Sequence, residues 1–323
     1  MAVTAVMSPS SHLIRPLKEN IPSPKADAGA APALVTIHGD DGCSLCIECG
    51  KPVTEGLYRE YSKDNIRLSR CEFCGAVADR LIEYELVLVG LDLALHRLPA
   101  WRHILFNRQP HAKLEFAQLW RMALVLTLVD THIKYAIYVH YSSISPPNHL
   151  DLTDTPKYQL SLLLRILLLS FVEHFVFFGI IVFLTTWMLA VRLHLCRPQL
   201  RGPASTPYTR TFVTRKLVQA LLFPNFGRCI VIFVMVWDPA FVVANLISLL
   251  VLLSQWQALR AVVAAAIALN ERYNQQRKED SVKRGNVEFY AAALPFVVGL
   301  SCKCLLRLVA FHVDASCTNL YLV

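Results

Sequence analysis

Residues 46–74 read CIECGKPVTEGLYREYSKDNIRLSRCEFC, and Gly75 follows. Cys46 and Cys49 form one CxxC pair and Cys71 and Cys74 a second, with 21 residues between them. A CxxC turn holds two sulfurs close together, and a second turn completes a tetrahedron at about 2.3 Å per Zn–S bond. Gly50 and Gly75 each follow the second Cys of their pair. That position needs a positive φ for the turn to close, which glycine adopts without steric cost. Between the pairs, Gly56 and Ser62–Asn65 are turn formers flanking extended pieces at Leu57–Tyr61 and Ile66–Leu68, the pattern of a β-ribbon. Cys43 creates an overlapping CxxC with Cys46, but only the Cys46/Cys49 pair is followed by glycine. Four thiolates leave zinc no open position, so one structural Zn2+ per chain is expected, not a catalytic one.

The chain around this motif is 323 residues long, 54% hydrophobic and 17% charged, with a formal net charge of +8. Five of its ten cysteines lie within the 32 residues 43–74, a clustering that fits zinc better than a secreted disulfide framework. Thiolate ligation implies a reducing compartment, so the zinc domain is placed in the cytosol. The first 40 residues are rich in Ala, Pro and Ser and lack an apolar core, which reads as a disordered leader and not a cleaved signal peptide.

Directly after the second pair runs ADRLIEYELVLVGLDLALHRLPAWRHILFNR, residues 78–108. Two CxxCG knuckles, then IEYE, a short LxLxGLDLxL stretch and RHILFN, closely resemble the Arv family. FGRCIVIFVMVWD at 226–238 is a second, looser likeness. The resemblance implies an endoplasmic-reticulum membrane protein of sterol homeostasis, with the homology domain here at 41–108. It also implies zinc ligation by Cys46, Cys49, Cys71 and Cys74, and it singles out Arg102, His103 and Asn107 without assigning them a role. Leu86–Leu95 spans ten residues and contains Asp92. A hydrocarbon core of about 30 Å needs about 20 residues of helix, so this stretch is either a core helix capping the ribbon or an interfacial helix. The basic strip Arg97, Arg102, Arg108 and Lys113 beside it suits anionic headgroups.

Residues 109–323 are expected to form a helical membrane domain. The apolar stretches at 116–140, 162–191, 229–253, 256–270 and 288–313 give about five spans. Loop 192–228 carries seven Lys and Arg without an acid, loop 271–286 is also basic, and 141–161 has Asp151 and Asp154 against one Lys157. The positive-inside rule then puts the first two loops and the N-terminus in the cytosol. Asp130 and Lys134 are four apart and face the same side of a helix. Glu173 and His174 sit mid-span, where ionisable groups need a partner. Lys303 or Arg307 would supply one to Glu173, at a structural pair or at a headgroup pocket. Cys302 and Cys304 read as buried, inert thiols.

These readings define an α-helical multi-pass membrane protein with a small N-terminal zinc ribbon. Tethered spans exclude a nucleic-acid ribbon, and no phosphate loop, HExxH or GxSxG occurs. The resemblance implies non-enzymatic handling of sterol, sphingolipid and glycosylphosphatidylinositol pathways. Partners would be sterol and anionic phospholipid, or else the enzymes of glycosylphosphatidylinositol-anchor assembly, with the chain as accessory subunit of a glycosyltransferase.

Overall fold

The computed structural model describes residues 35–36, 44–53, 56–62, 65–108, 114–144, 156–193, 210–235, 241–274 and 284–313. Cys43 and nearly all of the leader lie outside these residues. Val35 and Thr36 do not: they form strand β1, which pairs antiparallel with the ribbon. The leader expected over 1–40 therefore contains an edge strand, built from two β-branched residues that favour extended backbone.

The ribbon consists of two small sheets. Ser44–Leu45 (β2) pairs with Pro52–Val53 (β3) across the first knuckle. Tyr58–Ser62 (β4) pairs with Asn65–Leu68 (β5), giving a sheet in the order β1-β4-β5. Both β4 and β5 fall within one residue of the extended pieces read from sequence. A short 3-10 turn at Arg80–Ile82 then leads to α1 (Leu86–Ala94) and α2 (Leu98–Arg102), and α2 runs into a π-helical turn at His103–Asn107.

The turn from α1 into α2 passes through His96, which has φ 57°, a left-handed conformation uncommon outside glycine. The Arg97 and His96 N–H groups donate to the Asp92 and Leu93 carbonyls, so His96 occupies the position usually given to glycine in a helix-ending Schellman motif. Its Nε2 lies 3.0 Å from the Leu250 carbonyl in the long helix Phe241–Asn274. The strained residue thereby ties the ribbon to the spans.

The remaining helices are α3 (Phe116–Ile144), α4 (Pro156–Leu193), α5 (Arg210–Leu222), α6 (Cys229–Met235), α7 (Phe241–Asn274) and α8 (Arg284–Val313). Among the described residues five segments are long and apolar enough to cross a membrane: Phe116–His140, Gln159–Val191, Thr211–Met235, Val242–Leu269 and Phe289–Leu308. The number and the first, second and fifth positions match the expectation. The third and fourth do not. Residues 229–253 and 256–270 are not two spans: α7 runs unbroken through 241–274, and the third span is α5 and α6 joined by a 3-10 turn at Phe223–Arg228. Pro224 lies in that turn, where its missing N–H and fixed φ suit a break between two helices. Arg210, Arg215, Lys216 and Arg228, assigned from sequence to a cytosolic loop, are thus helical or in the turn. The linkers become 194–209, with Arg197 and Arg201 and no acid, and 236–240, whose one charged residue is Asp238.

One hydrophobic core crosses the domain boundary expected at residue 108. Leu45 of the ribbon and Trp101, Leu105 and Phe106 of the α2 region pack with Leu217 and Leu221 of α5 and the alanine-rich Ala258–Leu269 half of α7. Small residues there let helices approach closely. The same closeness marks the α4–α8 crossing: a Cβ on Gly299 would sit 2.7 Å from Ile181 Cγ1.

Candidate metal centre

Each knuckle closes on itself. Gly50 N–H donates to the Cys46 carbonyl and Gly75 N–H to the Cys71 carbonyl, both at 2.9 Å. The two glycines have φ of 72° and 71°, as the turn requires. The knuckles face each other so that Cys46 Sγ is 3.7 Å from Cys74 Sγ and Cys49 Sγ is 3.6 Å from Cys71 Sγ. All four sulfurs lie within 4.8 Å of one another. Zinc at about 2.3 Å from each of four tetrahedral sulfurs demands edges of about 3.8 Å, and these distances fit it. Cys46 and Cys71 are buried, whereas Cys74 is exposed. Burial pushes the Cys46 and Cys49 thiols up. Burial also opposes ionisation of Cys71, but N–H donors from Cys74 and Phe73 outweigh it and its net shift is downward. A cation among the sulfurs is what would hold all four as thiolates. With four protein ligands such a metal supplies folding energy, not an open coordination position.

The downstream RHILFN motif is the brace of this centre. Arg102 Nη1 donates to the Ile47 carbonyl at 2.8 Å and the Glu48 carbonyl at 2.6 Å, inside the first knuckle. Asn107 pairs with Leu45 as a strand neighbour would: its Oδ1 accepts from the Leu45 N–H at 2.9 Å, and its Nδ2 donates to the Leu45 carbonyl at 2.8 Å. Asp79, with no exposed surface, joins the two halves. Its Oδ2 lies 2.7 Å from His103 Nδ1 and 2.6 Å from Asn107 Nδ2, and its Oδ1 accepts from the Leu81 N–H at 3.0 Å. Gly50 is required a second time here, because a Cβ on it would meet the Arg102 guanidinium at 3.0 Å.

Arg102, His103 and Asn107 therefore turn inward onto the knuckle, not outward to headgroups. The sequence reading missed Asp79, though an acid two residues before a 3-10 turn residue is a cap signal. It also missed Lys216, whose buried ammonium donates to the Leu105 carbonyl and lies 5.4 Å from the Phe106 ring centroid.

The open choice for Leu86–Leu95 resolves into both of its faces. Val89 packs with Ile47, Leu81 and Ala100 of the ribbon core. Leu86, Val87, Leu88, Leu91 and Leu95 are exposed.

In the membrane half, Glu173 is ion-paired on two sides. Arg307 Nε lies 3.1 Å from its Oε1 and Lys134 Nζ 2.9 Å from its Oε2. Lys134 also pairs with Asp130 at 3.0 Å, as the four-residue spacing implied, and donates to Ser170 Oγ at 3.1 Å. Arg228 forms a further ion pair with Asp130. Arg307, not Lys303, is the α8 partner of Glu173. Lys303 is buried with its ammonium 5.5 Å from the Phe177 ring centroid. Cys302 is half-buried and Cys304 exposed, so the expectation of two buried thiols does not hold.

Comparison with known proteins places this arrangement. The Arv1-like family profile matches residues 45–259. The chain is similar to Protein arv1 homolog of Dictyostelium discoideum, 29% identical over 223 residues that cover 67% of this chain and 83% of that protein. It is similar to Protein ARV1 of Homo sapiens, 26% identical over 222 residues, 68% of this chain and 72% of that protein. With Protein ARV 2 of Arabidopsis thaliana the identity is 42% over 89 residues, 27% of this chain and 38% of that protein. No solved structure matches. A profile match across more than half of its length, from the zinc knuckles into α7, means that the chain belongs to the Arv1-like family.

Proposed function

We propose that this protein is a non-enzymatic lipid-handling protein of the endoplasmic-reticulum membrane, acting in sterol transport and lipid homeostasis with its zinc ribbon in the cytosol. The observation that carries the reading is α1. Four large apolar side chains on it and a fifth at its C-cap, Leu95, are exposed, while His96 just beyond its end holds it against Leu250, in the interior of the candidate span Val242–Leu269. Leaving such side chains in water costs about 1.5–3 kcal/mol each relative to burial. A helix of nine residues fixed beside a span offers that face to lipid. The metal-braced ribbon gives α1 a rigid mount, and the basic linkers 194–209 and 275–283 favour the cytosolic side for the ribbon.

Purification of the full chain from mild detergent, with lipid and protein analysis of the eluate, tests the reading. Sterol or phospholipid bound without a stoichiometric protein partner supports lipid handling. A stable complex with a glycosyltransferase of glycosylphosphatidylinositol-anchor assembly would instead make the chain an accessory subunit. Orientation is read by glycosylation acceptors in microsomes. A site engineered at Asn148 should be modified and one at Gly202 should not, and the reverse pattern would put the ribbon in the lumen.

A further inference from the structure

Four cations, Lys134, Arg228, Lys303 and Arg307, gather with two carboxylates, Asp130 and Glu173, inside the helical bundle. All six belong to four of the candidate membrane spans. The carboxylates are ion-paired with Lys134, Arg228 and Arg307, and Asp130 Oδ2, 3.0 Å from Lys134 Nζ, accepts no hydrogen bond among the described residues. His174 donates its Nδ1–H to the Ser170 carbonyl at 2.8 Å, and among the described residues no hydrogen bond joins its Nε2 to any of the four cations. Lys303 is left over. Its relative exposure is 9%, it feels the charges of Arg228, Arg307, Glu173 and Asp130, and among the described residues its ammonium has no hydrogen-bond acceptor, only the face of Phe177. Arg228 Nε is buried and likewise without a hydrogen-bond partner. A bundle that gathers four cations around two carboxylates, with the Lys303 ammonium and Arg228 Nε buried and unpaired, is unbalanced, because a charge removed from water needs a counter-charge or an acceptor.

We propose that this cluster is a binding site for a phosphate group, supplied by the headgroup of an anionic membrane lipid. A phosphate offers several acceptor oxygens and negative charge together, which suits one lysine and one guanidinium N–H left unpaired. Lys303 lies ten residues from Val313, the end of α8, or about 15 Å along the helix. The Arg307 side chain, at 24% exposure, opens the cluster to its surroundings. The inference does not depend on the sterol reading, since the ligand class follows from charge alone.

The test is native mass spectrometry of the full chain in detergent micelles. The micelles carry phosphatidylserine or phosphatidylcholine, with inorganic phosphate as the soluble probe in parallel thermal-shift measurements. The wild type should retain phosphatidylserine at least ten-fold better than phosphatidylcholine. Lys303→Leu should lose that preference and keep its melting temperature, because no acceptor loses a partner, whereas Lys303→Arg should keep the preference within about three-fold. Stabilisation by millimolar inorganic phosphate that vanishes in Lys303→Leu, without lipid preference, would support the site and assign free phosphate as its source. Equal retention of both lipids by the wild type, with no phosphate effect, would overturn the proposal. So would a phosphatidylserine preference unchanged in Lys303→Leu.

Discussion

The zinc ribbon and the charge cluster solve the same problem, polar groups held away from water, in opposite ways. In the ribbon the four sulfurs come from two turns of four residues each, so local backbone geometry builds most of the site. In the bundle the partners are far apart in sequence: Asp130 and Arg228 are 98 residues apart, and Glu173 and Arg307 are 134. A local site depends on its ligand to become stable. A distributed one depends on the helices being packed first.

The comparison breaks if chelation acts everywhere. Metal removal should produce the largest effect, since structural zinc contributes about 10–16 kcal/mol to small sites. Hydrogen exchange should show β4 and β5 losing protection by more than 100-fold while α3, α4 and α8 keep theirs. Loss of protection in all helices would mean that the spans also depend on the metal.

Glu173→Leu comes next, because it leaves the buried Lys134 and the partly exposed Arg307 without their shared carboxylate. Removing one partner of a buried pair costs about 3–5 kcal/mol. The double change with Arg307→Leu should recover part of the loss in a thermal-shift assay, and no recovery would mean that the pair is not coupled. Asp79→Ala, the ribbon counterpart, strands His103, Asn107 and the Leu81 N–H. At about 1–3 kcal/mol for a stranded buried group, it should lower the melting temperature and loosen the first knuckle while zinc stoichiometry stays at one. Zinc loss in Asp79→Ala would make the brace part of the metal site itself. The smallest effect is Gly299→Ala, which presses on Ile181 at the α4–α8 crossing and should cost about 1–3 kcal/mol. A neutral result would show that this crossing yields.

The contrast also explains what the sequence revealed. The knuckles, strands β4 and β5 and the number of spans were legible because each is set by neighbours close in sequence. The boundary between the third and fourth spans was not. A hydropathy window scores Lys216 and Arg228 as loop charges, and only the folded chain supplies the Leu105 carbonyl and Asp130 that neutralise them. The same applies to RHILFN. Read alone it is a basic strip facing lipid, but its arginine, histidine and asparagine spend their hydrogen bonds on residues 45–48 and 79, more than 20 positions upstream. Asp79 escaped notice because a lone acid in a polar stretch is ordinary until two donors converge on it.

The account stands on the four sulfurs holding one metal, with everything downstream braced against them. Metal analysis of the purified full chain tests this most directly. One zinc per chain is expected in the wild type and none in Cys71→Ser, while Cys43→Ser keeps its zinc because only the Cys46/Cys49 pair closes on a glycine. Full zinc retention in Cys71→Ser would contradict the account.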